Sequence, residues 1–144
     1  MNFLLLIYIG ILTFNNFNGP LEKYEWKNRI IVIFADNPGS EDYLQQVRLL
    51  NENCADFRER DLISFHIFRD EAYGPGDQAL GMEDRLYLQN QYKYKAGGFA
   101  ILLIGKDGTV KTRSLKPISA SELYTLIDGM PMRKVEMHRK NTGS

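Results

Sequence analysis

Between Arg29 and Ala35 the chain reads Ile30-Ile31-Val32-Ile33-Phe34, β-branched and aromatic side chains without a polar residue at any second position. A strand with one wet face alternates apolar with polar. A strand that does not alternate is buried on both faces, so it needs covering layers above and below. That points to an α/β fold before any other element is considered. The run ends at Asp36-Asn37-Pro38-Gly39-Ser40, which is turn chemistry.

The remaining segments fill in around that strand. Ser40 is a candidate N-cap, and Glu41-Asp42 place negative charge where a helix dipole favours it. Tyr43, Val47, Leu50, Cys54 and Phe57 then form one apolar stripe, so a single helix is expected to reach Phe57. Asp61 to Arg69 alternates as a second strand, with Ile63, Phe65 and Ile67 on one face and Leu62, Ser64, His66 and Phe68 on the other. Ala72 to Gly81 is expected to be a surface loop. Met82 to Tyr94 is expected to be a helix facing inward through Leu88 and Tyr92 and stopped by Gly97-Gly98. Phe99 to Ile104 reads as a central strand, and Asp107-Gly108 turns it back into an antiparallel partner over Thr109 to Leu115. Ser119 with Glu122 matches a capping box. The helix it opens is expected to bury Leu123, Leu126, Ile127 and Met130 before Gly129 and Pro131 stop it. The order β-α-β-α-β-β-α, with a parallel start and a late hairpin, is the thioredoxin-like arrangement: a central mixed sheet flanked by helices.

The ends of the chain suggest where such a domain works. Phe3 to Phe14 is apolar apart from Gly10 and Thr13. As a helix it would span roughly 18 Å, short of a bilayer core of about 30 Å. It therefore suits a secretory leader, or an uncleaved anchor that would tether the domain to a membrane. The expected organisation is a leader or anchor over 1–19, a domain over 21–138 and a flexible tail over 139–144, in an exported protein, periplasmic or extracellular. With Lys+Arg and Asp+Glu equal at 18 each, the chain lacks the basic surplus that nucleic-acid binding needs. The tail Met132 to Lys140 is locally basic and suits a solvated terminal segment, with a polyanion or anionic membrane surface as the alternative contact.

Four blocks resemble a known family: Trp26-Lys27-Asn28-Arg29, Glu59-Arg60-Asp61-Leu62, Phe99 through Gly108, and Ile127 through Arg133. Together, in this order, they look like the domain of unknown function 4174, which also occurs in extracellular sushi-repeat-containing proteins. The resemblance covers Leu21 to His138. It implies a thioredoxin-like, distantly peroxiredoxin-like fold in exported proteins, and an antioxidant role by fold analogy alone. It carries over no catalytic residue.

The residues argue against that chemistry. Thioredoxin-type enzymes hold the reactive Cys at the start of the helix after the first strand, where amide N–H groups and the helix dipole favour thiolate. Here that stretch has no Cys, and Asp36, Glu41 and Asp42 would oppose a thiolate. The one cysteine, Cys54, is expected on the buried stripe as a small hydrophobe, and is the redox candidate if there is one. Arg29, Arg60 and Asp61 flank strand ends, where a structural buttress is expected and a binding cleft is the alternative. Lys106 and Lys111 flank the hairpin turn and complete the candidate binding set. His66 is expected as a packing residue, with no Ser, Cys or second His placed to work with it. No metal set and no cofactor motif is present in the sequence. The function expected is a non-catalytic binding module for a protein or small molecule. The alternative is a divergent thiol antioxidant using Cys54.

Overall fold

The computed structural model describes residues 19–52 and 54–143, and the apolar Phe3–Phe14 run, expected as a leader or anchor, lies outside them. Five strands form one sheet: β1 Arg29–Phe34, β2 Leu62–Ile67, β3 Ala72–Tyr73, β4 Ala100–Ile104 and β5 Val110–Ser114, in the order β3-β2-β1-β4-β5. β1 pairs parallel with β2, from Arg29↔Leu62 to Phe34↔Ile67, and antiparallel with β4, from Ile30↔Ile104 to Phe34↔Ala100. Every residue of β1 and β4 is buried, as their unbroken apolar runs require.

The helices are α1 Glu41–Asn51, α2 Cys54–Glu59, α3 Met82–Gln91, α4 Ala120–Asp128 and α5 Pro131–Thr142. One face of the sheet carries Ile31, Ile33, Ile101 and Leu103 against Leu50 of α1 and Leu123 and Ile127 of α4. The other carries Ile30, Val32, Phe34, Leu102 and Ile104 with Phe65 and Ile67, against Leu88 of α3. This is the mixed sheet between helical layers that the sequence order implies.

Several local expectations are corrected. The single helix to Phe57 is two, because α1 ends at Asn51 and α2 restarts at Cys54. The asparagine-rich Asn51-Glu52-Asn53 is poor helix interior, since asparagine side chains compete for backbone hydrogen bonds. Cys54, the first residue of α2, is exposed and not a core residue, although it lines one cavity with Tyr43, Val47, Leu50 and Phe57 of the stripe. The Ala72–Gly81 loop contains β3, which adds an edge to β2 through His66↔Tyr73 and Ile67↔Ala72. The helix before β4 stops at Gln91, well short of Gly97, with Lys93 at φ 52 in the left-handed region. The basic C-terminal segment is helix α5 through to Thr142, so residues 139–142 are helical where a flexible tail was expected. Composition was misleading there because Arg133 is 1% exposed and faces inward. Leu126, expected in the core, is 44% exposed.

Candidate functional site

Three places on this frame hold the residues from which function can be argued. The first is the start of α1, at the end of β1, where thioredoxin-fold thiol chemistry takes place. It is occupied by its own turn. Asn37 Oδ1 accepts from Gly39 N at 2.9 Å, Ser40 Oγ accepts from Asn37 N at 3.2 Å, and Asp36 pairs with Arg69 at 2.7 Å. The nearest thiol in sequence is beyond the whole of α1, about 16 Å of helix away.

The second place is the opposite end of the sheet, and it gathers most of the sequence candidates. Arg29 opens β1, Arg60 and Asp61 precede β2, and Lys106 follows β4, so the parallel and antiparallel pairings bring all four to one edge. Helix α5 supplies the keystone. Glu136 takes Arg29 in a two-pronged pair at 3.1 and 3.2 Å, and Lys106 Nζ at 2.6 Å. Lys106 also reaches Asp61 Oδ2 at 2.8 Å. Arg60 grips Asp128 through Nε at 3.0 Å and Nη2 at 2.8 Å and lies over the Tyr124 ring, 4.3 Å from its centroid. Arg133 joins Asp128 at 3.2 Å to Glu59 at 2.8 Å. Each cation of this edge is matched by a carboxylate of the domain itself. Lys111 is not part of it: it pairs with Asp107 across the hairpin turn at 2.9 Å. Glu136 escaped sequence reasoning, because nothing local marks a residue of a basic terminal helix as inward-facing, while Glu59, Asp128 and Arg133 stand in the family-like blocks with no role that the sequence assigns.

The charges of this edge respond to their surroundings in a consistent direction. Burial opposes ionisation of Glu136, but hydrogen bonds from Arg29 and Lys106 outweigh it and hold the carboxyl below its ordinary value. Asp128 is lowered chiefly by Arg60, and Glu59 by Arg133. At the hairpin, bonds from Lys111 and Thr109 bring Asp107 to about 2. Carboxyls that hold protons less tightly when folded than when unfolded favour the unfolded state as acid is added. Stability contributed by Glu136 and Asp128 is therefore complete above their ordinary values of 4.5 and 3.8 and is lost as pH falls through the lower folded values. Urea unfolding from pH 7 down to pH 3 should show this loss beginning near those values. Glu136→Gln should flatten the slope, and an equally steep slope in that variant would remove Glu136 from the account.

The third place is a cavity of about 370 Å³ between α1, α2 and β2, lined in part by Tyr43, Cys54, Phe57, Ser64, His66 and Asp77. Here the expectation that nothing works with His66 is corrected. Ser64 lies two residues away on the same face of β2, its Oγ 3.0 Å from Nε2, and Tyr43 Oη sits 3.0 Å from Nδ1. The Ser-x-His spacing on a strand was the available signal. Burial lowers the His66 pKa, against the opposing pull of Asp77, and burial together with Asp77 raises that of Tyr43. Near neutral pH the cavity wall is thus a chain of neutral hydroxyl, imidazole and hydroxyl groups. Both ring nitrogens have a hydroxyl partner, and the tautomer decides which of them donates. Cys54 Sγ donates to the Asn51 carbonyl over a long 3.8 Å.

A thioredoxin-like frame without a thiol at its helix start narrows what the chain can be related to. The family model described as domain of unknown function DUF4174 matches residues 20–136. The chain belongs to the DUF4174 family. Curated relatives share this domain within much longer proteins. The chain is 26% identical over 133 residues to coiled-coil domain-containing protein 80 of Danio rerio, covering 81% of this chain and 15% of that protein. It is 24% identical over 134 residues to sushi repeat-containing protein SRPX2 of Homo sapiens, covering 88% of this chain and 28% of that protein. The DUF4174 chain thus spans less than a third of these relatives. Among solved structures, reduced 2-Cys peroxiredoxin of Plasmodium vivax superposes with a TM-score of 0.59 at 15% identity, over 83% of this chain and 84% of that one. Thioredoxin peroxidase I of Plasmodium yoelii gives 0.58 at 16%, over 86% and 81%. At such identity the likeness shows the fold alone. It is the thioredoxin-like fold that the element order implied.

Proposed function

We propose that this DUF4174 domain is an exported, non-redox binding module built on a thioredoxin-like frame. The observation that carries the reading is the start of α1: the fold's thiol position is a closed turn of Asp36, Asn37, Gly39 and Ser40, with no sulfur in it. The setting outside the cell rests on the apolar Phe3–Phe14 run and on the extracellular relatives that the resemblance implies. The arginines of the buttress are not offered to a ligand in this reading, since their carboxylate partners come from the domain itself.

One observation favours the thiol-enzyme alternative: Cys54 is exposed and shares a cavity with His66. The imidazole is already bonded to Ser64 and Tyr43, however, and the helix that Cys54 opens is the six-residue α2, not α1, the helix that follows β1. A turnover assay separates the two. With dithiothreitol as reductant and hydrogen peroxide or a small disulfide as oxidant, wild type and Cys54→Ser should consume substrate at the same background rate. Turnover that disappears with Cys54→Ser would overthrow the module reading.

A further inference from the structure

The structure also points to a partner surface, and this inference rests on the module reading above. We propose that the outer edge of β5, together with the groove beside it, docks an extended acidic peptide segment of a partner protein. β5 ends the sheet: one edge pairs with β4, and among the described residues no other backbone bonds to the second edge over Val110–Ser114. An unpaired edge is a row of free N–H and C=O groups, to which an extended peptide can add as a further strand. Leu103 pairs with Thr112 but Ile104 with Val110, so Lys111 is the extra residue of a bulge and the regular part of the edge lies beyond it.

The ground beside that regular part is apolar and positively charged. Arg113 donates to the Tyr92 carbonyl at 2.7 Å, which turns it toward the α3 face, and Leu115, two residues on, is 68% exposed. A groove of about 650 Å³ runs there, its apolar walls including Tyr94, Phe99 and Leu115. Its charged lining is Lys93, Lys95 and Arg113, with no acidic residue among the lining groups. None of these three cations has a carboxylate partner among the described residues, unlike the buried cations of the buttress. In a chain of zero net charge, this is a local surplus.

Charge decides the occupant. A second copy pairing edge to edge would bring Lys111 and Arg113 against their own likeness, which disfavours the pairing. An acidic strand would meet the same groups as partners, its carboxylates on the α3 face beside the groove cations and its alternate apolar side chains on the opposite face. Lys93 adds a feature that helps the test. It occupies the left-handed position after α3 where glycine is unstrained, so Lys93→Gly removes a groove cation without a backbone penalty.

The experiment uses the 144-residue chain with fluorescein-labelled octapeptides of alternating valine and glutamate or valine and lysine. Anisotropy should show binding of the acidic peptide, weakening with salt, and none of the basic one. Amide shifts should map to Thr112–Leu115 and Phe99, with slowed hydrogen exchange at β5. Lys93→Gly and Arg113→Gln should each weaken binding about five-fold, Lys93→Gly with an unchanged or higher Tm. The proposal is overturned if both peptides bind equally, if neither binds at millimolar concentration, or if the shifts map elsewhere. It is also overturned if heparin reproduces the shifts and no β5 exchange protection accompanies the peptide. Such a failure, with peroxide turnover still absent, would discard this edge and leave the module reading standing.

Discussion

Glu136→Ala is expected to destabilise the folded chain by about 3–4 kcal/mol, the cost of removing one partner from a buried ion pair. Arg29 is 1% exposed and Lys106 9%, and both lean on this carboxylate. After the replacement the guanidinium keeps the Arg60 carbonyl at 3.1 Å, and the ammonium keeps Asp61. Neither has a full substitute for Glu136. For a domain of this size the loss corresponds to a fall in Tm of roughly 10–15 °C. The double change Arg29→Met with Glu136→Leu should recover a large part of it, because no unpaired guanidinium then remains buried. If the single change costs under 1 kcal/mol by urea unfolding, the buttress is ornament on the surface and the arginines are free for a ligand after all.

Gln46→Ala is the second large effect, expected at about 3 kcal/mol. Gln46 is fully buried, and its amide group closes a double bond with the Ile118 backbone: Nε2 donates to the carbonyl and Oε1 accepts from the N–H, both at 2.8 Å. Those bonds clamp α1 to the segment that leads into the Ser119 cap of α4. Removing the side chain leaves a buried N–H and C=O without partners, each at about 1–3 kcal/mol. Gln46→Leu fills the space without restoring either bond, so it should be nearly as damaging. Rescue by leucine would show that the effect is packing alone.

These two residues also show what the amino-acid sequence could and could not disclose. β1 and β4 were legible because unbroken apolar runs bounded by turn residues leave few alternatives, and the hairpin was legible because Asp107-Gly108 supplies the turn, with Gly108 at φ 80. The Ser119 cap was legible for the same local reason: its Oγ accepts from Glu122 N at 3.2 Å. Arg29, Arg60, Asp61 and Lys106 were visible as charges at strand ends, and strand pairing does bring them together. Their meaning was not visible, because it depends on Glu136 and Asp128 from helices far along the chain. Gln46 lies beside the apolar stripe of α1, and pattern arguments weigh it as polar and therefore outward. Only the position of Ile118 makes it core. The burial of Cys54 failed for a different reason. A stripe read across Glu52 assumed an unbroken helix, whereas α1 ends at Asn51 and Cys54 opens α2 at the rim of a cavity, with Phe57 still packed on the core.

The central claim is that this thioredoxin-like frame does nothing to activate its cysteine. Its most direct measurement is the second-order rate of Cys54 with hydrogen peroxide at pH 7, followed by thiol titration in the folded chain and in guanidinium. The account predicts that the two rates agree within about three-fold, since the exposed thiol opens only the six-residue α2, away from the start of α1, and the imidazole that shares its cavity is already bonded to Ser64 and Tyr43. A folded-state rate a hundred-fold above the unfolded one would contradict it and make Cys54 the centre of the site.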